Sequence, residues 1–145
     1  MKNNTKSSSA ISIPAGEHAP NLLVVDDDPM LRKLLVMTLQ MQGYQVLCAE
    51  DGHQALAMAK AHERGDIDVL ITDINMPGIT GCELAEALHA VRPEIRTIFT
   101  SGCSSSVMAA INVDFPGAMY VSKPYAPGAM GGAIRALLSQ APLPC

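Results

Sequence analysis

The stretch Val69-Leu70-Ile71-Thr72-Asp73-Ile74-Asn75-Met76-Pro77-Gly78 decides how the chain is read. It opens on a short apolar run, the signature of a buried strand, and the run stops at a carboxylate. Pro77-Gly78 then turns the backbone away. A carboxylate at the carboxyl end of a buried parallel strand stands where open α/β sheets place their ligands.

On the amino-terminal side, Leu22-Leu23-Val24-Val25 is a second such run, closed by Asp26-Asp27-Asp28-Pro29. Asp28 can cap free helix amides, and proline suits the first helical position. The helix that follows places Leu31, Leu34, Leu35, Thr38 and Leu39 on one face and ends at Gly43, a C-cap. Residues 44–49 read as the second strand, and Glu50-Asp51-Gly52 leads into an Ala-rich helix reaching about residue 63. The third strand is 67–72. Gly81 opens a helix with Leu84, Ala87, Leu88 and Val91 on one face, and Pro93 ends it.

Residues 95–101 form the fourth strand, 104–112 a weakly patterned helix, and 118–122 a fifth strand cut off by Lys123-Pro124. A last helix over 127–139 turns Met130, Ile134, Leu137 and Leu138 inward. Gly131 and Gly132 lie inside it, each costing about 1 kcal/mol relative to Ala, which predicts the least stable helix. Residues 1–20, rich in Ser, Asn and Lys, read as a disordered tail or linker. Residues 21–140 read as the domain and 141–145 as a tail.

The pattern is β-α five times over, without internal repeat. Continuous apolar strands alternating with helices predict a parallel sheet covered on both faces, with right-handed crossovers. All strand ends of such a sheet share one edge. Asp26 and Asp27, Asp73, Thr100 with Ser101, and Lys123 each close a strand, so they converge.

Composition narrows the class. The chain has 145 residues, 48% hydrophobic and 3% aromatic, with no Trp and nine Met, enough for one domain with an aliphatic core. Its net charge of −4 without a Lys/Arg run argues against a nucleic-acid surface. No stretch approaches the ~20 apolar residues of a membrane span, and the first residues lack a secretory signal. Cys48, Cys82, Cys103 and Cys145 are scattered without CxxC spacing and read as small buried hydrophobes plus one tail thiol, consistent with a reducing cytoplasm. His18, His53, His62 and His89 lack metal-ligand spacing and read as solvated.

Three carboxylates gathered together repel one another and persist with a cation to neutralise them. All-oxygen ligands suit Mg²⁺, which keeps several waters. A carboxylate beside Mg²⁺ can attack phosphorus and form an aspartyl phosphate. Phosphoryl transfer then needs positioning and charge compensation, and Lys123 supplies a point charge for a phosphoryl oxygen. The Thr100 hydroxyl can bond another.

Val24-Val25-Asp26-Asp27-Asp28, Asp73-Ile74-Asn75-Met76-Pro77 with Gly81, Thr100-Ser101-Gly102 and Lys123-Pro124-Tyr125 together resemble the receiver domain of two-component response regulators over about residues 21–140. The resemblance implies a flavodoxin-like, doubly wound, five-stranded parallel sheet of order 2-1-3-4-5 with helices on both faces. It implies that Asp73 takes a phosphoryl group from a histidine kinase or phosphotransfer protein. Asp27, Asp73 and the backbone carbonyl of Asn75 would hold Mg²⁺, with Asp26 on a metal-bound water. Thr100 and Lys123 would bind phosphoryl oxygens, Tyr120 would swing inward as Thr100 moves, and Lys123-Pro124 would be cis. Self-catalysed phosphorylation and dephosphorylation would be slow at most, so the chain is not expected to be an enzyme in the ordinary sense.

Phosphorylation adds about −1.5 to −2 units of charge, and new bonds from Thr100 and Lys123 would favour a second arrangement of the surface that meets an unknown protein target. Ser101-Gly102 departs from the small residue many members carry after the threonine, predicting a more mobile loop. With few residues after 140, the expectation is a cytoplasmic chain without a DNA-binding output domain. It would be either free-standing or a receiver excised from a hybrid histidine kinase or larger regulator. A Mg²⁺-dependent phosphatase acting through an aspartyl phosphate is the competing class. That chemistry needs an acid two residues after the nucleophile, where this chain has Asn75.

Overall fold

A computed structural model describes residues 20–61, 67–102, 115, 117–126 and 128–139. Strands β1 (Asn21–Val25), β2 (Gln45–Ala49), β3 (Val69–Asp73), β4 (Arg96–Ser101) and β5 (Met119–Ser122) form one sheet in the order β2-β1-β3-β4-β5. Every pairing is parallel. Helices α1 (Pro29–Met41), α2 (Gly52–Ala61), α3 (Gly81–Val91) and α4 (Ala129–Leu138) complete the described elements. The expected helix over 104–112 lies outside the described residues, as do residues 1–19 and 141–145.

Alternation along the strands sends successive side chains to opposite faces. Leu23, Val25, Leu70 and Phe99 pack with Ala55 and Ala59 of α2 and Leu84 and Leu88 of α3. Leu22, Val24, Val69, Ile71 and Ile98 pack with Leu35 and Leu39 of α1 and Met130, Ile134 and Leu137 of α4. Both faces are thus covered, the arrangement that continuous apolar strands require. The inner strands β1, β3 and β4 are buried almost throughout, whereas the edge strands β2 and β5 are half-exposed.

Local signals place the helices. The Asp28 carboxylate accepts hydrogen bonds from the amides of Met30 at 3.0 Å and Leu31 at 3.2 Å, with Pro29 opening α1. Gly43 follows α1 at φ 98°, the left-handed conformation that suits glycine after a helix end. Thr80 and Glu83 form a reciprocal capping box on α3, a start signal read in the sequence only as Gly81.

Several expected inward faces are corrected. Of the expected α1 face, Leu35 and Leu39 are buried against the sheet, but Leu31 and Leu34 are 39% and 55% exposed. Met30, Leu34, Met37 and Met41 line its outer side. The apolar face of α1 is wide, and packing against the sheet buries only the side that carries Leu35 and Leu39. On α3, Ala85 joins Leu84 and Leu88 inside, while Val91 at the carboxyl end is exposed. Cys48 is exposed because it sits on an edge strand, and Cys82 is half-buried. At Gly131 a Cβ would lie 2.4 Å from the oxygen of the Gln42 side chain at the end of α1, so that side chain would have to swing aside.

Candidate functional site

The carboxyl edge of the sheet gathers the residues that close the strands. Backbone bonds carry each chain segment past its strand end and hold it beside its neighbour. The Asp26 amide donates to the Ala49 carbonyl at 3.3 Å, that of Ile74 to Thr100 at 3.0 Å, and that of Lys123 to Ser101 at 2.9 Å. In the β3–β4 register Asp73 stands opposite Thr100, which is buried.

The Lys123 ammonium donates to Asp26 Oδ2 at 3.1 Å and to Asp73 Oδ2 at 3.0 Å. Both acids are almost wholly buried, and the lysine side chain retains 19% exposure. Burial pulls the Lys123 ammonium down, but hydrogen bonds and charge from Asp73 and Asp26 outweigh it and raise it above the usual lysine range. Burial likewise pushes the Tyr125 phenol up; Lys123 opposes the shift, and Asp26 and Asp73 reinforce it.

Asp27, exposed at the rim, completes the acidic group. Asp26, Asp27 and Asp73 each offer a carboxylate oxygen, and these oxygens lie within 4.8 Å of one another. One ammonium does not neutralise three carboxylates. The donor set is all oxygen and open to solvent at Asp27, which suits a hard divalent ion that keeps part of its water shell.

Neighbouring groups fix the acids. Asp26 Oδ1 accepts from the Asp28 amide at 2.9 Å, and Arg32 Nη1 donates to the Asp26 carbonyl at 2.6 Å. Asp73 Oδ1 accepts from the Asn75 amide at 3.2 Å. Gly81 allows α3 to begin against the end of β3, since a Cβ there would lie 2.2 Å from the Asp73 carbonyl oxygen. The Lys123-Pro124 peptide is cis.

Asp26, Asp27, Asp73, Asn75 and Lys123 are therefore in one place, with Thr100 opposite Asp73 and Tyr120 one strand further. Tyr120 is half-buried and donates its hydroxyl to the Ser101 carbonyl at 3.1 Å. Ser101 is itself buried and ends β4, as expected of the fourth strand. Its hydroxyl accepts from the Asn75 side chain at 3.3 Å. Sequence reasoning missed the roles of Ser101 and Arg32. The one available signal was the placement of Arg32 in the first turns of a helix that starts at the acidic triplet.

His89 is also corrected. Its ring nitrogen Nε2 lies 2.8 Å from the Ile95 carbonyl oxygen, and its ring meets Phe115 edge-on at 6.5 Å. The chain turns back into β4 right after α3 and covers the last helical turn, so this histidine is half-buried far from the acids. His53 is exposed. His18 and His62 lie outside the described residues.

Residues 22–135 match the family model of the response regulator receiver domain. The chain belongs to that family. Receiver domains of response regulators are signalling domains. The transcriptional regulatory protein AruR of Pseudomonas aeruginosa is 36% identical over 110 residues, 74% of this chain and 45% of AruR. The chain spans about half or less of the length of the curated relatives it matches.

Among solved structures, the chemotaxis protein CheY4 of Vibrio cholerae superposes with a TM-score of 0.75 at 27% identity, covering 82% of this chain and 98% of that one. The response regulator TrrA of Thermotoga maritima, solved in complex with Mg²⁺-BeF, superposes with a TM-score of 0.70 at 30% identity, covering 81% and 98%. The sheet order and the paired helical layers of this receiver domain are those of the CheY-like fold. Among the described residues no helix is long and apolar enough to cross a membrane.

Proposed function

We propose that this receiver domain is a phosphorylation-activated switch of a two-component system, with Asp73 as the phosphoryl acceptor. The observation that carries the reading is the Lys123 ammonium held at 3.0–3.1 Å from both Asp73 and Asp26, with Asp27 in reach of the same point. A purely structural ion pair needs one acid per cation. This site has three.

The donor is a phosphohistidine of a histidine kinase or phosphotransfer protein. An Asp73 carboxylate oxygen attacks phosphorus, and the bond to the donor imidazole breaks with its electron pair returning to that ring. Asp27, Asp73 and the Asn75 carbonyl would hold Mg²⁺, with Asp26 acting through water; the ion supplies charge compensation at the phosphoryl oxygens. Lys123 moves its ammonium from the Asp73 carboxylate to a phosphoryl oxygen. Thr100 presents its hydroxyl to another, and Tyr120 follows the resulting shift of β4. The altered surface is read by a protein target, and the work is done in the cytoplasm without direct contact with nucleic acid.

The test is labelling with a small acyl phosphate donor and Mg²⁺, followed by mass spectrometry of the trapped adduct. One phosphoryl group on Asp73, lost on metal chelation, is expected. Labelling at another residue would overturn the assignment.

A further inference from the structure

We infer that Ser101 is a positioning residue for this site, its hydroxyl tying the Asn75 segment to β4 at the residue whose carbonyl also holds Tyr120 and Lys123 of the β5 segment. The inference rests on the phosphoacceptor reading of Asp73. Ser101 is 1% exposed, yet it contacts three residues of the site through two atoms. Its carbonyl accepts the Lys123 amide at 2.9 Å and the Tyr120 hydroxyl at 3.1 Å. Its Oγ accepts the Asn75 side-chain amide at 3.3 Å.

The carbonyl bonds need no particular side chain. The hydroxyl is different. A buried hydroxyl is unfavourable unless bonded, and alanine would satisfy the packing of a strand end. Here Oγ reaches across from β4 to the loop after β3 and fixes the side chain of a rim-exposed residue. The amide of that same residue sits 3.2 Å from Asp73 Oδ1. Two hydrogen bonds in series, Asn75 to Ser101 and Asn75 to Asp73, therefore hold residue 75 against both the end of β4 and the Asp73 carboxylate. A shift of β4 at Thr100 and Ser101 moves Tyr120, Lys123 and Asn75 together.

The experiment is calorimetric titration of the full chain with Mg²⁺ in the absence of any phosphodonor, for Ser101→Ala, Asn75→Ala and the double variant. Ser101→Ala keeps the carbonyl and removes the hydroxyl. Its Mg²⁺ affinity is expected to fall about threefold to tenfold, the worth of one net hydrogen bond. Asn75→Ala is expected to fall by a similar factor, and the double variant to be no weaker than Asn75→Ala alone.

Affinity within twofold of the unmodified chain, or losses in the two single variants that multiply in the double, would overturn the inference. Should Ser101→Ala fail to fold, exposed Asn75→Ala carries the test alone, and unchanged affinity there overturns it. Failure of the phosphoacceptor reading would show separately, as absence of label on Asp73 in the unmodified chain.

Discussion

The two edges of the sheet use acids in opposite ways. At the amino edge Asp68 lies between strand starts, and its Oδ2 accepts the Asn21 amide at 2.7 Å. Its own amide donates to the Asn21 carbonyl at 2.8 Å, and its carbonyl accepts from Arg96 at 3.1 Å. This acid is answered by backbone and stitches β1, β3 and β4 together. At the carboxyl edge Asp26, Asp27 and Asp73 crowd within 4.8 Å around a single ammonium. Folding alone does not call for that crowding, because uncompensated carboxylates repel. An acid matched to its neighbours marks structure, and acids in excess of their cations mark chemistry.

The largest expected contrast breaks or upholds that distinction. Asp73→Asn abolishes labelling by a small phosphodonor, since the amide is no nucleophile. Asp68→Asn keeps the labelling rate and lowers stability by about 1–2 kcal/mol in urea unfolding, the cost of weakening a partly buried charge-assisted bond. Equal labelling of Asp73→Asn and the unmodified chain would mean the crowded acids are not the acceptor site. Loss of labelling in a folded Asp68→Asn would mean the amino edge is not merely structural.

A smaller contrast lies within the acidic triplet. Asp27→Ala removes a carboxylate from the group and weakens Mg²⁺ binding on the order of 10–100-fold. Asp28→Ala removes the cap of α1, costing about 1 kcal/mol of stability, and leaves Mg²⁺ affinity within about twofold. Metal titration and thermal unfolding on the same two variants separate the roles. Equal losses of Mg²⁺ affinity would show that the triplet is assigned wrongly.

The site was more legible in the sequence than parts of the fold. Asp26, Asp73 and Lys123 could be brought together because parallel strands put all carboxyl ends on one edge, a rule that needs strand positions and no side-chain detail. The strand order followed from family resemblance and holds. The inner face of α1 followed only in part. Leu35 and Leu39 are buried as expected, but the burial of Leu31 and Leu34 was not borne out, because only tertiary packing decides how much of a wide apolar face is covered. His89 was read as solvated because its partners, the Ile95 carbonyl and Phe115, come from segments on the far side of a turn. Ser101 was legible as a strand end, but the role of its hydroxyl was not, for a related reason. A buried serine at a strand end gains meaning from Asn75, 26 residues away in sequence.

The smallest effect sharpens the comparison by asking how strongly the lone ammonium is held. Lys123 is raised in the folded state above its unfolded value of 10.5, because hydrogen bonds and charge from Asp73 and Asp26 outweigh burial. Its contribution to stability is therefore fully present below pH 10.5 and disappears as pH rises through the raised value. Tyr44 and Tyr125 are raised as well, chiefly by burial, and they also cost stability as the unfolded chain ionises above pH 10. Urea unfolding in a chelator should thus weaken between pH 9.5 and about 11.5 in the unmodified chain, and less steeply in Lys123→Met. The difference isolates the lysine. Removing its charge raises Tyr125 further, which would steepen the decline, so a shallower slope comes from Lys123 alone. Since the side chain keeps some exposure, the slope difference should amount to no more than about 1 kcal/mol across the window. An identical or steeper slope in Lys123→Met would mean that the ammonium contributes no more than the Tyr125 shift its loss causes.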